Sequence, residues 1–148
     1  MKNLTKKEQF KLLFAVWYTL DSLYADYAKS VGLSYTTMLI LNMIYEGSGT
    51  CTQKILTEKT FLPKQTINTV VTGFYRDGLV VLKEMPDDRR NKTIHLTKKG
   101  KELADKIYPK LDNAAMKALE EFDEYEINKL LELMQTYVEK VQINLKSS

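Results

Sequence analysis

The chain of 148 residues is poor in the residues that build disulfides and zinc sites, with one cysteine and one histidine. The single cysteine, Cys51, excludes an internal disulfide and is typical of a reducing compartment, so a cytoplasmic location is expected. Structural zinc sites usually need about four Cys or His ligands. We therefore predict no metal site and no cofactor.

Long apolar runs are also missing. Hydrophobic residues make up 44% of the chain, which is enough for a core. No run approaches the roughly 18 residues that a transmembrane helix needs, so no membrane partner is expected. The lysine-bearing start of the chain is amphipathic and lacks a small-residue cleavage site, which argues against a signal peptide.

Catalytic motifs are absent from the sequence as well. It has no glycine-rich phosphate loop and no pair of acidic residues placed beside a nucleophile. The one histidine, His95, alternates within a strand-like run, which favours a structural role or a phosphate contact over metal ligation. An enzyme is therefore not expected, and no catalytic residue is assigned.

Positive charge is concentrated in the middle of the chain. Between Cys51 and Lys101 there are eleven lysines and arginines and five acidic residues, a net charge of +6. The flanking regions carry eleven basic and fourteen acidic residues, a net charge of −3. A basic middle region is typical of a protein that binds a polyanion, although lysines also occur on any soluble surface.

Capping signals and apolar spacings of three and four predict four helices before residue 78. Thr5 and Glu8 form a capping box ahead of a long aromatic-faced helix that stops at about Gly32. The second and third helices begin after candidate N-cap residues, Ser34 and Thr52. Proline fits the first position of the fourth helix, and glycine fits its end, at Pro63 and Gly78 respectively.

The period then changes to that of β-strands. The runs LVVLKEM and KTIHLT predict an antiparallel hairpin joined by the charged stretch PDDRRN. With about eight residues between the strand cores, the connection is longer than a tight turn and is expected to project. Helical spacing returns after Thr97 and continues to the end of the chain. Asp123 and Glu126 supply a further capping signal for the last helix.

The third and fourth helices with the hairpin predict a winged helix-turn-helix. In the fourth helix, Ile67, Val70, Val71 and Phe74 share one face, and the opposite face is polar and free of acidic residues. Short groups that donate and accept hydrogen bonds suit base edges and phosphates in a major groove. The alternative is a threonine-rich helix packed against a neighbour. The predicted DNA-contacting residues of this helix are Lys64, Gln65, Thr66, Asn68, Thr69 and Arg76.

The first helix and the last two helices carry apolar stripes that so small a winged helix cannot cover. Exposed stripes of this length favour a second copy of the chain, in a two-fold homodimer. Two recognition helices about 34 Å apart would then read a palindromic operator. The alternative is a helical bundle within one chain. We predict a mainly α, single domain over residues 1–148, with dimerisation helices at 1–33 and 98–148 and a winged helix-turn-helix at 34–97.

Together these motifs resemble the multiple-antibiotic-resistance regulator (MarR) family of winged-helix transcriptional regulators. The most specific motif is Asp88-x-Arg90, followed by Leu96-Thr97 and Gly100, within DDRRNKTIHLTKKG. TINTVVTGFYRDGLV is similar to the family's recognition helix and its exit. The resemblance spans essentially the whole chain and implies DNA binding by a dimer, commonly a repressor released by a small molecule.

The resemblance also implies roles for residues of the wing. Arg90, at or near the tip, would enter the minor groove, with Arg89 as the competing residue. Asp88 would hold an arginine side chain in place by a charge-assisted hydrogen bond. Thr97 would cap the helix that follows. Two lysines, Lys83 and Lys92, would contact phosphates without reading sequence.

The small-molecule effectors of family members are often aromatic or phenolic compounds. A pocket for such a ligand would use the aromatic residues Phe14, Trp17, Tyr18, Tyr24 and Tyr35, which are otherwise core residues of an aromatic stripe. Cys51 precedes a helix N-terminus, where the dipole would lower its pKa and make the thiol reactive. Relatives that sense oxidants typically use a cysteine in the first helix, where this chain has none, so redox sensing is kept only as an alternative. A winged helix used for protein or RNA contact is the remaining alternative to DNA binding.

Overall fold

The computed structural model describes residues 3–147, which form six helices and one two-stranded antiparallel hairpin. In chain order the elements are α1 (Lys6–Ser30), α2 (Tyr35–Glu46), α3 (Gln53–Thr60), α4 (Lys64–Arg76), β1 (Val80–Met85), β2 (Asp88–Leu96), α5 (Lys98–Leu119) and α6 (Glu124–Lys146). The predicted mainly helical winged helix-turn-helix is confirmed. In the part of the chain that is described, no helix is both long and apolar enough to cross a membrane.

The helix starts follow the predicted capping residues. The Thr5 side chain accepts a hydrogen bond from the Glu8 main-chain N–H, and the Glu8 side chain accepts one from Thr5 N–H. The other predicted caps, at Ser34, Thr52 and Asp123, also accept a hydrogen bond from the first turn of their helices. Each cap satisfies a main-chain N–H that has no partner within its helix.

The start of α4 differs from the prediction by one residue. Pro63 is the N-cap, with φ −57° and ψ 139°, and the first helical residue is Lys64. The fixed φ of proline suits both positions, but the extended ψ places Pro63 outside the helix. Gly78 ends the turn after α4 at φ +73°, a left-handed conformation that glycine adopts without strain.

The chain divides into two compact units, one up to Ile107 and one from Tyr108 onward. The first unit contains α1 to α4, the hairpin and the beginning of α5. Its core is formed by branched side chains from the helices and from the hairpin that are at most 1% exposed. They are Ile40, Leu41, Ile44, Leu56, Ile67, Val71, Val80, Ile94 and Ile107. Because this core joins the hairpin to the helices, it fixes the wing beside the helix-turn-helix.

The hairpin is more fully paired than predicted. Regular pairing runs from Val80 opposite Leu96 to Glu84 opposite Lys92, and Met85 then lies opposite Asp88. The turn is only two residues long, Pro86 and Asp87, so the predicted eight-residue loop is wrong. The predicted first strand agrees with β1, whereas β2 begins four residues earlier than predicted, at Asp88. Main-chain pairing does not depend on apolar side chains, and for that reason polarity did not reveal the polar start of β2.

The jump in register creates a bulge on β2. Three consecutive residues, Arg89, Arg90 and Asn91, lie between the partner of Met85 and the partner of Glu84. All three side chains are exposed. A bulge bends its strand and re-aims its side chains, so two arginines are presented together near the end of the wing.

A main-chain contact that sequence periodicity did not indicate attaches the wing to the helices. The Ile94 N–H donates to the Cys51 carbonyl at 2.8 Å, and Thr52 forms an isolated antiparallel bridge with Thr93. The linker between α2 and α3 therefore pairs with β2. This short pairing holds the base of the wing against the start of α3.

The last helix, α6, leaves its apolar side chains largely uncovered within one chain. No residue of α6 is buried. The stripe predicted for this helix includes leucine, methionine and valine side chains that are 37–51% exposed, at Leu130, Leu131, Met134, Val138 and Val141. An exposed apolar face of this length is the feature that predicted a second copy of the chain.

Gly100 provides a test of the packing between α5 and the exit from α4. A Cβ added at Gly100 would lie 2.0 Å from the Leu79 carbonyl oxygen, whereas one added at Gly73, within α4, meets nothing within 4 Å. We expect Gly100→Ala to lower the free energy of unfolding by about 2–3 kcal/mol, because main-chain atoms must move. Gly73→Ala should raise it by about 0.5–1 kcal/mol, since alanine favours the helix.

Urea denaturation of both variants at one protein concentration measures this difference. If Gly100→Ala is as stable as Gly73→Ala, the close approach of α5 to Leu79 is contradicted.

Candidate nucleic-acid interface

The outer face of α4 is polar, exposed and free of acidic residues. Ile67, Val71 and Phe74 are buried, and helical spacing places Gln65 and Thr69 on the opposite side. The Thr69 hydroxyl donates to the Gln65 carbonyl at 2.9 Å, so its oxygen remains an acceptor at the surface. The other predicted contact residues Lys64, Asn68 and Arg76 are exposed, and Thr66 is half-buried. The face therefore offers amide, hydroxyl and cationic groups to a ligand.

Arg76 differs from the other predicted contact residues. It is the last residue of α4, and its Nε lies 3.3 Å from the carboxylate of Asp77. Both side chains are more than half exposed, so the pair is screened by water and contributes little to stability. The carboxylate still offsets the positive charge of Arg76 at this end of the helix.

A cleft of about 500 Å³ lies between the wing and the helix-turn-helix. Four cationic side chains line it, and they come from α3, α4 and β2. They are Lys54, Lys64, Arg90 and Lys92. One acid, Glu58, also lines the cleft, and its carboxylate is 3.9 Å from the Lys54 ammonium group. The excess positive charge gives the cleft a potential that attracts phosphates.

Four lining residues of α3 were not among the predicted site residues. They are Gln53, Lys54, Thr57 and Glu58. The sequence indicated Lys54 in one way only, as part of the excess positive charge of the middle region. Its place beside the wing depends on the pairing of the α2–α3 linker with β2, which the sequence pattern does not show.

Asp88 braces the bulge through the main chain. One carboxylate oxygen accepts from the Arg90 main-chain N–H at 3.0 Å, and the other accepts from the Asn91 side-chain amide at 2.7 Å. Among residues 3–147, no ion pair joins Asp88 to an arginine, so the predicted bond to an arginine side chain is corrected. Because both oxygens are used within the bulge, the Arg89 and Arg90 side chains remain free to bind a ligand.

The two wing arginines differ in their surroundings. Arg90 lines the cleft beside α4, and Arg89 does not. The two predicted phosphate contacts are both exposed on the hairpin, where Lys92 lines the cleft and Lys83 pairs opposite Thr93. Arg90 is therefore the arginine that shares a surface with the recognition helix.

Thr97 joins the end of the wing to the start of α5. Its hydroxyl donates to the Gly78 carbonyl at 2.6 Å and accepts from the Gly100 N–H at 3.1 Å. The Thr97 side chain therefore caps α5 and also binds Gly78, which lies between α4 and β1. The wing is supported at its base by this contact.

The five aromatic residues predicted for an effector pocket are not gathered at a cavity within one chain. Phe14 and Tyr18 lie in contact along α1, with ring centroids 5.9 Å apart, while Trp17 is 57% exposed. Tyr24 and Tyr35 stack at 6.1 Å, and burial raises the pKa of Tyr35. Neither described cavity is lined by any of them. The second, of about 570 Å³, lies at the base of the wing beside Tyr45, Gly49, His95 and Lys101.

Cys51 is buried, which argues against the alternative of a redox-sensing thiol. The residue is 2% exposed, and burial raises the pKa of the thiol, while nearby Lys59 opposes this shift more weakly. Because a raised pKa lowers the thiolate fraction, the thiol is a poor nucleophile at neutral pH. Its carbonyl, rather than its sulfur, has the structural role, as the acceptor from Ile94 N–H.

A helix-turn-helix with a basic wing defines the chain as a winged-helix nucleic-acid-binding protein, and known proteins specify the family. The MarR family model matches residues 31–91. The transcriptional regulator SarZ of Staphylococcus epidermidis is 30% identical over 119 residues, which span 79% of this chain and 77% of SarZ. The chain therefore belongs to the MarR family of DNA-binding transcriptional regulators.

Solved structures show the same fold. A MarR family regulator from Neisseria meningitidis, NMB1585, has a TM-score of 0.79 at 24% identity, covering 94% of this chain and 97% of its own. CouR from Rhodococcus jostii, solved bound to p-coumaroyl-CoA, has a TM-score of 0.70 at 25% identity, covering 85% and 88%. The curated relatives are transcriptional regulators, in agreement with the prediction that the chain is not an enzyme.

The state of Cys51 is testable by alkylation. We expect iodoacetamide to modify the native protein very slowly near neutral pH, because the thiol is buried and largely protonated, and to modify the unfolded protein rapidly. Mass spectrometry measures the modified fraction. Rapid modification of the native protein, with loss of DNA binding, would restore the redox-sensing hypothesis.

Proposed function

We propose that the chain is a homodimeric repressor that reads a palindromic operator with α4 and contacts the flanking minor groove with the wing. The observation that carries this proposal is the continuous basic surface formed by the acid-free face of α4 and the cationic cleft beside it. Gln65 is placed to read a base edge, since glutamine pairs with adenine through two hydrogen bonds. Asn68 and Thr69, exposed on the same helix, complete the reading face.

The wing supplies the second contact. A narrow minor groove concentrates negative potential and attracts an arginine side chain. Arg90 is our choice for this contact, because its main chain is held by Asp88 and its side chain lies at the cleft. The lysines at positions 54, 64, 83 and 92 add phosphate contacts that fix the position of the protein without reading sequence.

Dimerisation follows from the uncovered apolar faces. On α1, Phe10, Leu13 and Leu20 are 44–54% exposed, and the stripe of α6 is similarly uncovered. A two-fold partner would bury both faces and would repeat the recognition helix about one DNA turn away, near 34 Å. A palindromic operator is the DNA sequence that matches this symmetry.

Release by a small aromatic molecule is the regulatory part of the proposal. CouR is bound to p-coumaroyl-CoA, and a Staphylococcus aureus MarR has been solved with salicylate and kanamycin. In this chain the stacked Tyr24 and Tyr35, half-buried between α1 and α2, are the aromatic pair best placed to contact such a ligand. The Tyr24 hydroxyl can both donate a hydrogen bond to a ligand and accept one from it. The Phe14 ring can do neither, and the Trp17 indole N–H can only donate.

Single substitutions at the two reading elements test DNA recognition. With a duplex selected by the wild-type protein, we expect Gln65→Ala to reduce the discrimination between bases at one position per half-site. The binding free energy that favours the preferred base there should fall by about 1–3 kcal/mol. Arg90→Ala should weaken binding to that duplex while the protein remains folded and dimeric. Fluorescence anisotropy titrations against matched single-base variants of the duplex measure both effects.

Arg89→Ala is the matched control for the wing. A larger loss for Arg89→Ala than for Arg90→Ala would reassign the minor-groove contact to Arg89. If Gln65→Ala weakens binding equally for all sequences, Gln65 contacts phosphate and does not read a base.

The dimer is tested through α6. Truncation after Phe122 removes the exposed stripe of that helix, and we expect the shortened protein to lose the dimer in analytical ultracentrifugation. Leu131→Glu in the full chain is a milder variant, which should weaken dimerisation because a charge enters an apolar interface. A folded, concentration-independent dimer from the truncated chain would contradict the proposed role of α6.

A further inference from the structure

Phe61, in the turn between α3 and α4, combines exposure and strain in a way that folding does not explain. Its side chain is 90% exposed. Its main chain is left-handed at φ +57°, and Ser48 is the one other non-glycine residue with positive φ in the described part of the chain. For a bulky residue this conformation costs roughly 1–2 kcal/mol relative to glycine.

The strained conformation itself has a clear local cause. Phe61 is the C-cap of α3, and its N–H donates to the Thr57 carbonyl at 3.1 Å. A left-handed residue at this point ends the helix and reverses the chain toward Pro63. Glycine or asparagine would serve the turn at lower cost, and so the turn does not account for an aromatic ring. An exposed ring in a strained position indicates a contact outside the chain.

The position of Phe61 identifies the partner. It lies three residues before Lys64, which begins the recognition helix and lines the basic cleft. In a helix-turn-helix the N-terminal part of the recognition helix meets the bases, so the turn before it lies over the strand that borders the major groove. The groups of that strand that accept an apolar ring are deoxyribose faces, since phosphates and water do not.

We propose that Phe61 packs against a deoxyribose of the DNA strand beside the recognition helix. This inference rests on the proposed placement of α4 in the major groove. The contact adds affinity without reading a base, because every nucleotide has the same sugar. It also adds no ionic contact, so the dependence of binding on salt is unchanged by its loss.

Phe61→Asn tests the contact, because asparagine tolerates the left-handed conformation and removes the ring. We expect its affinity for both a selected duplex and a scrambled duplex to fall about tenfold, the loss expected when roughly 50 Å² of apolar contact is removed. The salt slope should match that of the wild type, and the melting temperature should not fall. Phe61→Leu should recover part of the affinity, since it retains an apolar side chain.

Ser48→Asn is the matched control, because Ser48 also has positive φ but lies at the cavity at the base of the wing. It should bind DNA like the wild type. Wild-type affinity of Phe61→Asn for both duplexes, while Arg90→Ala loses binding, would overturn the contact and leave the proposed function standing. A changed oligomeric state with unchanged DNA affinity would overturn it in favour of a contact between protein chains. Loss on the selected duplex alone would show that Phe61 reads sequence, which also contradicts a sugar contact.

Discussion

The pairing of the α2–α3 linker with β2 is the constraint on which the DNA-binding surface depends. The hydrogen bond from Ile94 N–H to the Cys51 carbonyl, with the bridge between Thr52 and Thr93, holds the wing at the start of α3. Ile94 is fully buried at this point, so the pairing is shielded from water. It adds a main-chain attachment to the apolar packing of Val80 and Ile94 that joins the hairpin to the helices. The pairing lies beside the start of α3, whose Gln53 and Lys54 line the cleft between the wing and the helix-turn-helix.

Charge then acts on a surface that the fold has already shaped. Asp88 uses both oxygens on the main chain and side chain of its own bulge, and among residues 3–147 it forms no ion pair with the arginines beside it. Glu58 is paired with Lys54 at the edge of the cleft. The three other cations of the cleft form no ion pair in the described part of the chain. They are Lys64, Arg90 and Lys92. Arg90 lies at the cleft without an ion-pair partner among the described residues, whereas Arg76 is paired with Asp77.

Local features of the fold were predictable from the sequence, and features that depend on distant residues were not. The caps at Thr5, Ser34, Thr52 and Asp123 act within one helical turn, so their spacing predicted the helix starts. The bulge at residues 89–91 depends on which β1 residue pairs with which β2 residue, and polarity does not report that pairing. Cys51 shows the same limit, since its burial results from packing by other elements, and its position before α3 suggested the opposite pKa shift. The outer face of α4 was predictable because helical spacing alone separates it from Ile67, Val71 and Phe74.

In the proposed complex, two copies of α4 and the wing read one DNA duplex. Selection of bound duplexes from a random library by the purified wild-type protein, followed by sequencing, tests this arrangement. A two-fold dimer should enrich an inverted repeat whose half-site centres lie about 34 Å, or one helical turn, apart. Enrichment of a single unrepeated site, or no enrichment over the starting library, would contradict it.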